Sequence, residues 1–147
     1  MRKNCGLVSV GYGGRRSSEL IGTLKTLGVD LLVDVRLSPR SGVPGFSGFA
    51  LQKTLAAAGI EYRHEVALGN PPDNRPSYRD GEESAKKRFS QLLETSGQAA
   101  LAWLADAASK RRVAVLCAER DEVRCHRQQI VAAACHLNPT LIVTSLG

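Results

Sequence analysis

Residues 112–127 read RVAVLCAERDEVRCHR, and the way this stretch is divided decides the fold class. Val113 to Leu116 is apolar and rich in branched side chains, which is how a short strand buried on both faces reads. That strand is expected to end at Cys117. A loop dense in charge follows, and from about Cys125 the alanine-rich run IVAAACHL carries apolar residues at helical spacing. The stretch is therefore a strand, a polar loop and a helix start. In open α/β sheets ligands bind at the carboxyl ends of the strands, where the next helix offers unpaired N–H groups and the positive end of its dipole. Cys117, Glu119, Arg120, Arg124, Cys125, His126 and Arg127 are all placed there.

The same unit recurs upstream. Leu7 to Val10 reads as a strand closed by Gly11-Tyr12-Gly13-Gly14, with Arg15 and Arg16 immediately after. Ser17 or Ser18 is placed to cap a helix with the stripe Leu20, Ile21, Leu24, Leu27, and Gly28 is placed to end it. The turn lacks the GxGxxG spacing of dinucleotide-binding folds, so it is either a tight connection that needs small residues or an anion-binding turn. Leu31 to Val35 forms a second strand interrupted by Asp34. A carboxylate buried in a strand requires a partner, Arg36 or backbone N–H groups, unless it takes part in catalysis or ligand binding.

The segment from Ser38 through Arg40 to Ser47, rich in Pro, Gly and Ser, reads as an ordered loop. Ser47 caps a helix with Phe49, Leu51, Leu55 and Ala58 as its apolar positions, and Ile60 to His64 makes a third, short strand. Turn formers dominate Leu68 to Gly81, so no regular element is expected; it is a flap or, more commonly for such loops, a surface excursion. Helices are expected over Glu82 to Thr95 and Gln98 to Ser109, and Lys86-Lys87-Arg88 is read as a solvated face. A last strand runs from Leu141 to Ser145. Five strands alternating with helices predict a single-domain α/β fold over residues 1–147, a three-layer sandwich with a mostly parallel five-stranded sheet.

With 147 residues, 43% hydrophobic and 23% charged, the chain has an ordinary globular composition, and no apolar run approaches membrane-spanning length. The N-terminal residues lack the hydrophobic region of an export signal, which predicts a cytoplasmic protein without membrane contact. Four cysteines (Cys5, Cys117, Cys125, Cys135) are not a disulfide framework at this size, so thiols are expected. The net charge of +6 is uneven: residues 1–63 hold nine Lys/Arg against four Asp/Glu, and residues 64–147 hold eleven against ten. Such a chain attracts phosphates, nucleic acid or acidic substrates.

Parallel strands would bring GYGGRR, DVRLSPR, RHE and CAERDEVRCHR to one edge of the sheet. Tyr12, Gly13, Gly14, Arg15, Asp34, Arg36, Ser38, Arg40, Arg120 and Arg124 are then the candidate anion- or substrate-binding residues. Cys117, Glu119, Cys125, His126 and Arg127 are the candidate catalytic ones.

Three motifs also carry a resemblance: GYGGR at Gly11 to Arg15, VDVR at Val33 to Arg36 with the following SPRS and PGFS, and C-x-E-x5-C-H-R from Cys117 to Arg127. In their order and spacing the chain resembles the bacterial and archaeal proteins grouped as DUF488. The resemblance implies a compact α/β domain and names no reaction. Similar proteins often read LGG where Leu68-Gly69-Asn70 stands, and often carry a histidine where Thr144 stands.

Three chemistries are open to these residues. A thiolate near a helix N-terminus and cationic partners is a nucleophile, which predicts an enzyme, a thiol-dependent hydrolase or transferase, acting on a phosphate- or sulfur-bearing anion. Glu119 or His126 would move the proton. The C-x5-R spacing of tyrosine phosphatases is absent, since six residues separate Cys117 from Arg124. The alternative is a nucleotide or nucleic-acid binding module without turnover, although aromatic content is only 5%, which argues against base stacking. The third is a zinc-type site of Cys117, Cys125 and His126 with Glu119 or His64, which would need an irregular backbone because two ligands are adjacent. No cofactor is called for, and the oligomeric state is not encoded in any motif.

Overall fold

The computed structural model describes residues 5–146, with Val123 described by its backbone alone. Arg2 and Lys3, part of the N-terminal charge excess, lie outside the described residues. The strands are β1 (Gly6–Gly11), β2 (Leu31–Asp34), β3 (Glu61–His64), β4 (Arg112–Cys117) and β5 (Val143–Ser145). They form one sheet in the order β3-β2-β4-β1-β5, and every pairing is parallel. The helices are α1 (Ser17–Thr26), α2 (Gly48–Ala57), α3 (Arg75–Arg79), α4 (Glu83–Glu94), α5 (Gln98–Lys110) and α6 (Arg127–Leu137). No helix among the described residues is long and apolar enough to cross a membrane.

Strand alternation sorts the core into two layers. Val8, Val10, Leu32, Ala114 and Leu116 face Leu20, Ile21 and Leu24 of α1 and Leu51 and Leu55 of α2. Leu7, Leu31, Val33, Val113 and Val115 face Phe89 of α4, Leu104 of α5 and Ile130 of α6. The central strands are buried along their length, so their apolar runs are continuous rather than alternating. The result is the three-layer α/β sandwich with a parallel five-stranded sheet.

β4 inserts between β2 and β1, with Gly11 opposite Cys117 and Asp34 opposite Leu116. The chain runs outward from β1 through β2 to β3 and then returns, so the order reverses at β4. A crevice forms at the carboxyl ends of strands where connections depart in opposite directions.

Several local expectations are corrected. Arg16, extended at φ −90 and ψ 145, holds the N-cap position of α1 without a side-chain cap bond. Ser17 is already helical, and an Arg16–Glu19 pair at 2.8 Å spans the first turn. Ser47 does cap α2, accepting from the Ala50 N–H at 3.3 Å. Phe49, expected in the apolar stripe, is 76% exposed, with Lys53 over its ring. α6 begins at Arg127 rather than near Cys125, because Glu122–Arg124 forms a 3-10 turn and the Cys125 N–H bonds the Glu122 carbonyl. β5 is shorter than Leu141 to Ser145, since the Leu141 N–H closes a turn onto the Asn138 carbonyl.

The largest correction concerns Leu68 to Gly81. It holds a 3-10 turn at Pro72–Asn74 and the helix α3, and Leu68, Asn70, Asn74 and Tyr78 are buried. Side-chain amides order what lacks periodicity: Asn74 donates to Asn70 Oδ1 at 2.9 Å and to the Ala85 carbonyl at 3.0 Å.

Candidate functional site

A cleft of about 420 Å³ opens at the carboxyl ends of β1, β2 and β4. It is bounded by the Gly11–Gly14 turn, the loop after β2, α3 and the β4–α6 loop. Tyr12, Gly13, Arg36, Ser38, Arg40, Arg120 and Arg124 line it, as do Cys117, Glu119, Cys125 and His126. The sequence reading brought these segments to one edge, and Gly13, Arg36 and Cys117 meet there. Gly14, Arg15, Asp34 and Arg127 do not line the cleft.

Those four residues hold it in shape. Asp34 is fully buried and accepts from Arg36 Nε at 2.8 Å, Arg36 Nη2 at 2.6 Å, the Arg36 N–H at 3.1 Å and the Tyr62 hydroxyl at 2.7 Å. Its lone pairs are spent on this network, which places it in structure rather than substrate contact. Burial works against the Arg36 guanidinium, and the hydrogen bonds and charge of Asp34 outweigh it, so its pKa is raised. Arg36 also donates to the Phe46 carbonyl at 2.7 Å. Tyr12 and Phe46 stack with centroids 4.3 Å apart, fastening the loop after β2 to the end of β1. Arg15 bonds the Gly11 carbonyl at 2.9 Å and the Leu146 carbonyl.

Arg127 is fully buried beneath the β4–α6 loop. It donates to Ser9 Oγ at 2.8 Å, to Cys117 Sγ at 3.0 Å, and to the carbonyls of Glu119 and Arg120. The guanidinium fork thus fixes the turn that leaves β4. Gly11 supplies the room: a Cβ there would lie 2.6 Å from Arg120 Cα. The first glycine of GYGG is required by this close backbone approach, and Gly14 by its φ of +73.

Cys117 and Cys125, both expected as thiols, are paired as a disulfide in the structure. β4 ends at Cys117, and the 3-10 turn at Glu122–Arg124 doubles the chain back so that Cys125 returns over the strand end. His126 lies beside it. Its Nε2 is 2.9 Å from the Val35 carbonyl, which can only accept, so Nε2 carries the proton and Nδ1 is the free acceptor. Nδ1 is 3.7 Å from Cys125 Sγ. Burial, against an edge of Phe89 at 5.1 Å, pushes the imidazole pKa down to about 4. His126 is therefore neutral near pH 7. No group of three His, Cys, Asp or Glu among the described residues is arranged to hold a metal ion.

Sequence reasoning missed Asn70, Arg75, Tyr78 and Arg79, which complete the cleft. Tyr78 donates to Gln129 Oε1 at 2.6 Å, pinning α3 to α6, and Arg75 bonds the Asn70 carbonyl at 3.2 Å. The signal was present in Pro72 and Pro76, which suit first helical turns, and in Arg75 and Arg79, four apart on one face. Charge on the rim is lopsided. Arg79 reaches Glu119 at 4.0 Å and Arg124 reaches Asp121 at 3.5 Å. Among the described residues, no carboxylate pairs with Arg40, Arg75 or Arg120 within 4.0 Å.

Searches of curated proteins and of solved structures return no match. A family model described as "Domain of unknown function DUF488" matches residues 16–134. The span begins just beyond the GYGGR turn and includes the VDVR segment, α3 and the whole Cys117–Arg127 loop. By that match, over most of its length, the chain belongs to the DUF488 family.

Proposed function

We propose that this protein is an anion-binding thiol enzyme, a hydrolase or transferase whose phosphate- or sulfur-bearing substrate sits in the Arg-rimmed cleft and meets a cysteine thiolate. The observation that carries the reading is the excess of guanidinium over carboxylate around a cleft floored by two sulfurs and a neutral imidazole. Exposed Arg40, Arg75 and Arg120 have no carboxylate partner among the described residues, and a bound anion would supply the counter-charge. In the reduced state, Cys125 stands just ahead of α6, whose N-terminal dipole favours a thiolate, and His126 Nδ1 is placed to accept its proton. A cytoplasmic setting would keep that dithiol form.

The same rim would serve a nucleotide or nucleic-acid binding module without turnover. Against it stand the buried sulfurs and oriented imidazole, for which a pure binder has no use. Alkylation by iodoacetamide across pH, on reduced protein with and without inorganic phosphate, tests the reading. One of Cys117 and Cys125 is expected to react well below pH 8, near the ordinary thiol range, and to be protected by phosphate. Slow labelling at both with phosphate still bound favours the binder, and slow labelling without phosphate binding removes both readings.

A further inference from the structure

We propose that Cys117 and Cys125 form a dithiol/disulfide couple that exchanges with small thiols bearing a negative charge, with Cys125 the sulfur attacked and Cys117 the sulfur that leaves. The inference rests on the anion-binding reading of the cleft and specifies its substrate class. Three observations converge on it. The two sulfurs are bonded to each other, and both residues line the cleft where an anion would lie, Cys117 at 2% and Cys125 at 4% exposure.

The two sulfurs are not equivalent. Arg127 Nη1 stands 3.0 Å from Cys117 Sγ, and the other acceptors of that buried guanidinium are Ser9 Oγ and two carbonyls, all neutral. Among the described residues no carboxylate is in ion-pair contact with it; Glu122, Glu119 and Asp121 act on it only through space, and desolvation outweighs them. A buried cation is costly without a counter-charge, and a Cys117 thiolate would provide one. Cys117 is thus the better leaving group, because exchange is faster when the departing thiolate is stabilised. Cys125 Sγ instead receives the Arg127 backbone N–H at 3.5 Å and faces the unprotonated Nδ1 of His126. The rim then selects the partner, since Arg75 and Arg120, which have no carboxylate partner among the described residues, draw in a thiol that carries a sulfonate or carboxylate.

In the reducing direction a thiolate RS⁻ attacks Cys125 Sγ. The Sγ–Sγ bond breaks, and its electron pair leaves on Cys117 Sγ against Arg127. A second molecule, RSH, passes its proton to His126 Nδ1 as its sulfur attacks the R sulfur of the mixed disulfide. That bond breaks toward Cys125 Sγ, which takes the proton from His126. The products are RSSR, a Cys117 thiolate and a Cys125 thiol. Two electrons have passed from the thiols to the protein.

The test compares reduction of the oxidised protein by 2-mercaptoethanesulfonate, 2-mercaptoethanol and 2-aminoethanethiol at equal thiolate concentration. At low salt the anionic thiol is expected to react on the order of ten-fold faster than the neutral one, and the cationic thiol slower still. High salt should bring the three together. In a second arm, the disulfide of 2-mercaptoethanesulfonate is offered to reduced Cys117→Ser and Cys125→Ser, and adducts are read by mass. A stable mixed disulfide is expected on Cys125 of Cys117→Ser, with little adduct on Cys125→Ser. A neutral thiol as fast as the anionic one at low salt, or an adduct preferring Cys117, overturns the inference. Inorganic phosphate binding without any charge preference among thiols overturns it alone, whereas absence of both overturns the anion-binding reading as well.

Discussion

Gly11 and Arg120 are in backbone contact: a Cβ on Gly11 would lie 2.6 Å from Arg120 Cα and the same distance from the Glu119 carbonyl carbon. The end of β1 is therefore the surface on which the β4–α6 loop is moulded, and no flexible side chain lies between them to give way. Gly11→Ala is expected to leave the sheet intact, since its φ is not in the left-handed region, but to push Glu119 and Arg120 off their positions. A stability loss of about 1–3 kcal/mol in urea unfolding is expected for this overpacking. Phosphate affinity should fall with it. Unchanged affinity would separate the loop position from anion binding.

Asp34→Asn probes the deepest charge pair. Asp34 is fully buried and Arg36 nearly so, they touch at 2.6 and 2.8 Å, and among the described residues no other carboxylate pairs with the guanidinium. Removing the negative charge strands a buried cation, which costs roughly 3–5 kcal/mol. Chemical denaturation should show that loss. A loss under about 1 kcal/mol, the range of an exposed pair, would mean that water reaches Arg36.

The fold was legible because Val113–Leu116 and Leu31–Val33 are buried on both faces, and only continuous apolar runs satisfy that environment. Strand direction then gathered Tyr12, Arg36 and Cys117 without any tertiary information. The α3 region was not legible. Its order comes from the Asn70–Asn74 amide bond and from Tyr78 reaching Gln129, contacts that no periodicity announces. Whether Cys117 and Cys125 face each other depends on how the eight-residue separation is folded, and the 3-10 turn that decides it lies in a charged run without an apolar pattern.

Arg75→Gln combined with Arg79→Gln tests whether α3 belongs to the binding surface. Both side chains are exposed, so the double variant should fold normally. Each exposed charge contributes about 0.2–1 kcal/mol to an anion, so the loss of two should weaken phosphate affinity by about two- to thirty-fold at low salt. The salt dependence of binding should flatten in parallel. Calorimetric titration of inorganic phosphate at two salt concentrations checks it; unchanged affinity and slope would return α3 to a purely structural role.

His126 links the site to pH through folding. Its pKa of about 4 in the folded protein lies below the ordinary value of 6.5, chiefly because burial disfavours the imidazolium. Between those values the unfolded chain binds the proton and the folded one does not, so stability rises with pH across the window. The contribution is fully present above pH 6.5, declines as pH falls toward 4, and amounts to about 3 kcal/mol over that span. Urea midpoints measured from pH 7 down to pH 5 should therefore drop, and His126→Gln should remove much of the slope. The imidazole resonances should show no titration above pH 5, since the proton on Nε2 is held against the Val35 carbonyl and Nδ1 stays bare. A midpoint near 6.5 in those resonances would mean that Nδ1 takes up a proton in the folded state, and the acceptor facing Cys125 would then be lost in mildly acidic solution.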